Sequence, residues 1–251
     1  MIAITRDVSP SVARAELTHM DRVPISYQRA AEQHERYRAL LRSLGCEVID
    51  LPADPNHPDC VFVEDTAIVL DDVAVITRPG AESRRGEVEV IATELARHRP
   101  LVRIEAPATI DGGDVLVLGD RIYVGLSTRT NSEALEQLAR LTGREVVGVR
   151  VDGALHLKTA ITRVSGDTLL VNRDWLDVAP FAGWKLVDVD PSEPFGGNAL
   201  LVRDKVIYPT AFPLTRARLE THGLDIRPID ADELAKAEGG VTCCSLLLNI
   251  G

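Results

Sequence analysis

The sequence predicts an α/β fold, a five-bladed α/β propeller in which ββαβ repeats close into a ring with pseudo-fivefold symmetry. Three observations carry this. A strand, a tight turn with an acidic residue and a second strand recur at 62–76, 114–124, 158–171 and 198–208; these are hairpin signatures. The polar lead-ins to these hairpins, with a fifth at the C-terminal side, fall near residues 65, 112, 157, 197 and 243, a spacing of about 40 to 47 residues that belongs to propellers and solenoids. The fifth unit has a strand around Cys243 but no partner after it, whereas the apolar run 2–5 has no local partner. Pairing the two would close the ring, so that N- and C-terminal strands share a sheet and no open edge remains. The ring is expected to use residues 1–251 as one domain.

The elements follow from local pattern. After the strand 2–5, the polar, Pro-punctuated stretch 7–25 reads as a loop or lid. Tyr27, Ala30, Ala31, His34, Tyr37, Leu40, Leu41 and Leu44 recur at helical spacing, and Gly45 stops that helix. Residues 46–51 alternate as a strand. Between the hairpins, 85–97, 131–141 and 214–222 read as helices, each followed by a short strand. The last segment, Gly239 through Ile250, reads as a strand delivered by two glycines, in which Cys243 and Cys244 would face opposite sides.

Composition narrows the function classes. A chain 45% hydrophobic and 26% charged is an ordinary globular one. A net charge of −10 argues against a nucleic-acid surface but not against a cationic small-molecule ligand. No apolar run is long enough for a membrane helix, and the first residues lack the pattern of a signal peptide, so a cytoplasmic location is expected. Cys46, Cys60, Cys243 and Cys244 include no C-x-x-C pair, which points to free thiols and no structural metal.

In a ring, the lead-ins converge on one central face, where Glu64, Asp65, Asp111, Asp114, His156, Asn198 and Cys243 would meet. A thiol nucleophile needs a proton shuttle and a group that orients it, and His156 is the one histidine at a lead-in. Each residue also has a plainer reading. Cys243 and Cys244 suit two small core residues, His156 a structural histidine, and Asp111-Gly112-Gly113-Asp114 an ordinary turn. Glu64 and Asp65 interrupt an apolar run and need a cation there, either a bound guanidinium or ammonium or an internal arginine such as Arg84 or Arg129.

Six separated motifs stand in order over essentially the whole chain: Pro58 through Asp65, Thr77 through Arg85, Asp111 through Val115, Gly125 through Asn131, His156-Leu157-Lys158-Thr159 and Gly240 through Ser245. Together they resemble the dimethylarginine dimethylaminohydrolase family of the guanidine-modifying superfamily. The resemblance implies the pentein fold, which agrees with the ring read from the repeats. It implies Cys243 as nucleophile, His156 as general acid and base, and Asp111 as the carboxylate that orients the histidine, a position where some members carry glutamate. It implies Asp65 as guanidinium binder, Asp59 and Glu64 as acids nearer the substrate's amino end, and Arg84 and Arg129 as a carboxylate clamp. Phe62 is implied in the substrate site, Leu17 in the lid, and the carbonyl of Ala237 as a contact to the substrate amino group.

The implied reaction converts asymmetric dimethylarginine or monomethylarginine to citrulline and an amine through a covalent thiouronium on Cys243. No cofactor and no metal are implied, although adjacent thiols and a histidine could bind zinc with loss of activity. The expected partner is the small-molecule substrate, with neither nucleic acid nor membrane, and a homodimer is compatible with the sequence. Arginine deiminase and other guanidine hydrolases of the superfamily are the near alternatives; a non-catalytic amino-acid or zinc-binding module is the alternative from another class. Deiminases typically place an aspartate two residues after the histidine. This chain has Lys158 there, which argues for a methylated nitrogen that needs no acceptor.

Overall fold

The computed structural model describes residues 1–249, so the end of the expected last strand, at Ile250 and Gly251, lies outside the described residues. The chain begins with β1 (Ile2–Arg6), α1 (Tyr27–Ser43) and β2 (Glu47–Leu51). Three units follow, formed by β3 (Ala67–Val69), β4 (Ala74–Ile76), α2 (Val88–Leu95) and β5 (Leu101–Arg103), by β6 (Val115–Leu118), β7 (Arg121–Leu126), α3 (Ser132–Thr142) and β8 (Glu145–Arg150), and by α4 (Leu157–Ala160), β9 (Ile161–Arg163), β10 (Thr168–Val171) and β11 (Lys185–Asp188). The chain continues through β12 (Leu200–Val202), β13 (Lys205–Pro209), α5 (Pro213–Thr221), β14 (Asp225–Ile229), α6 (Asp232–Ala235) and β15 (Leu246–Leu248).

These strands make five three-stranded sheets of one design, an antiparallel hairpin with a parallel third strand. In the first sheet the hairpin is made by the two ends of the chain. β1 runs antiparallel to β15, with Ile4 opposite Leu246, and parallel to β2. The ring therefore closes as the sequence predicts. Gly45 adopts φ +80° after α1, the left-handed value that ends a helix cleanly with glycine.

The gaps between neighbouring sheets form the core. Val88, Ile91 and Leu95 of α2 pack with Ile2, Ile4 and Leu246 on one side and with Ala74 and Ile76 on the other. Ala134 and Leu138 of α3 fill the next gap, Leu219 of α5 the fourth, and Ala30, Tyr37 and Leu41 of α1 the fifth. The third gap has no long helix. There the loop after β10 supplies Leu176 and Phe181, and Phe181 stacks on Tyr123 at 4.7 Å between centroids. A buried aromatic ring removes a large apolar area from water, so the loop fills this gap in place of a helix. Among the described residues no helix is long and apolar enough to cross a membrane.

Candidate active site

The lead-ins are tight turns rather than the first residues of strands. Residues 63–66 and 112–114 form 3-10 turns, 157–160 a single helical turn and 241–244 a turn, each just before its strand. The same backbone bond recurs in four of them: Asp65 N to Phe62 O, Asp114 N to Asp111 O, Thr159 N to His156 O and Cys243 N to Gly240 O, at 3.4, 3.0, 3.1 and 3.2 Å. The strand expected at Glu64, Asp65 and Cys243 is corrected for a physical reason. A strand would send alternate side chains into the apolar gaps between sheets, where a lone carboxylate is costly, whereas a turn can aim them along the ring axis.

His156 is held from two sides. Its Nε2 lies 3.1 Å from Asp111 Oδ2, and its Nδ1 lies 3.9 Å from Asp65 Oδ1. The backbone N–H that follows it, on Leu157, donates to Asp114 Oδ1 at 2.9 Å, and Asp114 also accepts from Ser127 and Thr130 at 2.6 Å each. Gly113 donates its N–H to Asp65 Oδ1 at 2.9 Å. A Cβ on Gly113 would sit 2.6 Å from His156 Nδ1, so only glycine lets the histidine reach this place. Burial depresses the imidazole pKa, but Asp65, Asp114 and Asp111 overcome that and raise it to about 9. Burial works against ionisation of Asp65 as well, yet His156 and Arg84 prevail and lower its pKa to about 2. Asp114, buried with weaker compensation, is raised to about 6.

Cys243 is 8% exposed, and its sulfur accepts the Gly240 N–H at 3.3 Å. Burial, with Glu64 and Asp65 nearby, pushes its thiol well above the usual range. Cys244 points elsewhere, into a small separate cavity beside Gln33, His34 and Tyr37, and burial raises it to about 12. The two thiols thus face different sides although they sit in a turn.

Asp59, Phe62, Asp65, Arg84, Arg129, His156, Ala237 and Cys243 line one narrow cavity, with a volume of about 20 Å³, and Asp111 stands behind His156. Asp59 accepts the Glu16 N–H at 3.1 Å, and burial raises its pKa. Arg84 binds Asp65 at 2.6 Å, Glu87 at 2.9 Å and the Phe62 carbonyl at 3.1 Å, which leaves little of its donor fork for a ligand. Arg129 donates to Thr18 Oγ1 at 3.0 Å and lies 3.9 Å from Asp111. It is the arginine with donors to spare. The alternative of an internal ion pair therefore describes Arg84, and of the two arginines expected to form a clamp Arg129 keeps more of its donors free.

Two expected residues stand apart. The Glu64 carboxylate pairs with Lys158 Nζ and accepts from Thr242 Oγ1 at 2.7 Å. Both Glu64 and Lys158 line the cavity that also borders β3, β6 and β12, not the one at Cys243. Burial alone would raise Glu64 further than it does, since Lys158 opposes it. Leu17 is half-buried and lines neither cavity at Cys243, whereas its neighbours Glu16, His19 and Met20 do. Asp65, Asp111 and His156 could each offer a metal one atom within 4.8 Å of the others. Their oxygens already serve Arg84, Gly113, Gly80 and the imidazole, and among the described residues Cys243 joins no such group.

Residues 16–180 match the family model described as N,N dimethylarginine dimethylhydrolase, eukaryotic. An N(G),N(G)-dimethylarginine dimethylaminohydrolase of Pseudomonas aeruginosa is 36% identical over 88% of this chain and 89% of its own length. One of Streptomyces coelicolor is 37% identical over 98% and 96%. The chain belongs to the dimethylarginine dimethylaminohydrolase family. It is a hydrolase of that family. The solved Pseudomonas aeruginosa enzyme, a Cys-to-Ser mutant complexed with citrulline, superposes with a TM-score of 0.91 at 34% identity, covering 97% of each chain. The N-terminal domain of a cyanobacterial arginine dihydrolase matches at 0.84 and 20% identity, which speaks for the shared pentein fold alone.

Within this dimethylarginine dimethylaminohydrolase site, sequence reasoning missed Glu238. Its carboxylate accepts three successive amides of the loop after β1, those of Thr18, His19 and Met20, at 2.9, 2.6 and 2.7 Å. It does so from a left-handed backbone, φ +59°. No pattern marks an acid that binds only main-chain groups 220 residues away in sequence. The adjoining Gly239 offers the one trace, because a Cβ there would come within 2.3 Å of the Phe62 ring.

Proposed function

We propose that the chain, acting as one catalytic unit, hydrolyses Nω-methylated arginines to citrulline and dimethylamine or methylamine through a covalent intermediate on Cys243. The observation that supports this most is the convergence of Cys243, the His156–Asp111 pair, Asp65 and Asp59 on a single cavity in a member of this family. The substrate guanidinium sits against Asp65, its amino group near Asp59 and the Ala237 carbonyl, and its carboxylate toward Arg129, with Arg84 adding positive field. Phe62 and the lid beginning at Leu17 exclude water.

At neutral pH the free site holds a thiol and an imidazolium, given the directions of their shifts. A guanidinium bound beside the sulfur favours thiolate, and the thiol proton leaves to solvent. The thiolate attacks the guanidinium carbon to form a C–S bond. The C–N bond to the methylated nitrogen breaks as His156 protonates the departing amine. His156, now neutral, takes a proton from water, which adds to the thiouronium carbon; the C–S bond breaks and citrulline leaves. Asp111 and Asp114 keep the imidazole in place for both transfers.

The test is a citrulline assay run side by side on arginine, agmatine, monomethylarginine and asymmetric dimethylarginine. Turnover of the two methylated substrates, with arginine and agmatine at least about tenfold poorer in kcat/KM, supports the reading. Faster turnover of arginine would make the chain a deiminase, and uptake without citrulline would make it a binding module.

A further inference from the structure

Two cavities meet at Cys243. One is the charged cavity described above; the other is larger, with a volume of about 230 Å³ against about 20 Å³. Leu155, Glu238, Gly239 and Cys243 belong to both walls. Beyond them the larger chamber is walled mainly by apolar groups, among them Ala154, Phe195, Phe212, Ala235 and Val241, and the lid residues His19 and Met20 reach it. Phe195 is exposed, with its ring against the edge of Trp175 at 5.0 Å between centroids.

We propose that this chamber receives the substituent on the departing nitrogen, and that the protein hydrolyses arginines whose ω-nitrogen carries alkyl or arylalkyl groups larger than methyl, such as propyl or benzyl. The inference rests on the hydrolysis proposed above. A carbon attacked by Cys243 must lie where the two cavities join. The amino-acid portion belongs on the charged side, because Asp59, Asp65 and Arg129 are all there. The nitrogen that leaves then faces the apolar side. An unsubstituted nitrogen would present N–H groups to walls whose acceptors, Asp232, Glu238 and Asn198, already serve Arg29, Gln33 and the amides of Thr18 and Thr242, which costs binding free energy, whereas an alkyl group gains by leaving water. The chamber thus supplies a preference for alkylated nitrogen that Lys158, turned away from the site, does not. The bonds made and broken are unchanged: C–S forms, the C–N bond to the substituted nitrogen breaks, His156 protonates the amine, and one water yields citrulline.

The experiment compares kcat/KM for Nω-methyl-, Nω-propyl- and Nω-benzyl-L-arginine, by citrulline release, in the wild type and in Ala235→Phe. Ala235 is exposed on the chamber wall and does not line the charged cavity. In the wild type, propylarginine should match or exceed methylarginine, each buried methylene adding up to about fourfold. Ala235→Phe should lower kcat/KM for propyl- and benzylarginine by about tenfold or more, with methylarginine changed by less than about twofold. Ala211→Phe, also exposed on that wall, provides the same obstruction if the first variant does not fold. Turnover of methylarginine without turnover of the larger substrates would overturn the chamber and spare the hydrolysis. A filling variant that slows all three alike would also overturn it, and a wild type inactive on every substrate would remove both proposals.

Discussion

Lys158 Nζ and the Glu64 carboxylate form an ion pair in a cavity other than the one that Cys243 and His156 line, with Thr242 donating to the other Glu64 oxygen. The pair joins the turn before β3 to the turn before β9. It has little direct access to a ligand at Cys243, and its weight falls on holding the lead-ins together.

Lys158→Asp should therefore act on stability before selectivity. It sets a second carboxylate against buried Glu64, and breaking a buried pair costs about 3–5 kcal/mol. Denaturant unfolding should show that loss, while the arginine-to-dimethylarginine ratio of kcat/KM stays within about twofold of wild type. A variant of normal stability with a shifted ratio would restore the lysine to the substrate site.

Cys243→Ser should abolish citrulline release with the unfolding curve preserved. Cys244→Ser, which alters a different cavity, should keep turnover within about tenfold of wild type. Equal loss in both variants would remove the assignment of the nucleophile.

Asp111→Asn should lower the imidazole pKa of His156 from its value of about 9, read as the midpoint of its ring-proton resonance. The raised folded value means that this group's stabilisation is complete below the ordinary pKa of 6.5 and fades as pH rises through about 9. Wild-type stability should fall across that window, and the fall should be shallower in the variant. Asp65, lowered to about 2, acts in the opposite sense: its contribution holds above the ordinary 3.8 and is lost as pH drops through about 2. A histidine midpoint unmoved by the substitution would leave Asp111 without its orienting role.

Arg129→Ala should raise KM for dimethylarginine by about 10- to 100-fold, the loss expected for a charge-assisted hydrogen bond, and barely affect a guanidine lacking the carboxylate. Arg84→Ala should instead weaken the fold, since it strands Asp65 and Glu87 in the interior. If both guanidines weakened equally in Arg129→Ala, the arginine would not be reading the carboxylate.

Glu238→Gln should loosen the lid. Amide exchange at Thr18, His19 and Met20 should speed up by about tenfold as the charge that draws their N–H groups disappears. Unchanged exchange would show that other contacts, such as Arg129 on Thr18, hold the lid closed.

The ring was legible because its repeats are written in the period of hairpins, and because β1 had no other strand to pair with. Cys243, His156 and Asp65 reach one cavity, with Asp111 behind His156, because each stands at a lead-in of the repeat, while the roles given to them rest on the family resemblance. What escaped depends on side-chain direction. Glu64 and Asp65 are neighbours in sequence, yet the turn sends one carboxylate to Lys158 and the other to Arg84, a split that spacing alone does not encode. Arg84 and Arg129 look alike in sequence, and only burial beside Glu87 separates the structural arginine from the one with donors to spare. Glu238 was invisible because its partners are main-chain amides, which carry no residue identity.

Joining Ile4 to Leu246 across nearly the whole chain also has a kinetic side. Contacts of such sequence separation form late in folding, after the loop-closure entropy of the intervening chain has been met. The turn that presents Cys243 leads directly into that last strand. A nascent or partly unfolded chain can hold three completed blades with the His156–Asp111 pair already in place, and still lack an ordered nucleophile. Catalytic competence should then emerge in a single late step during refolding, lagging behind the recovery of secondary structure.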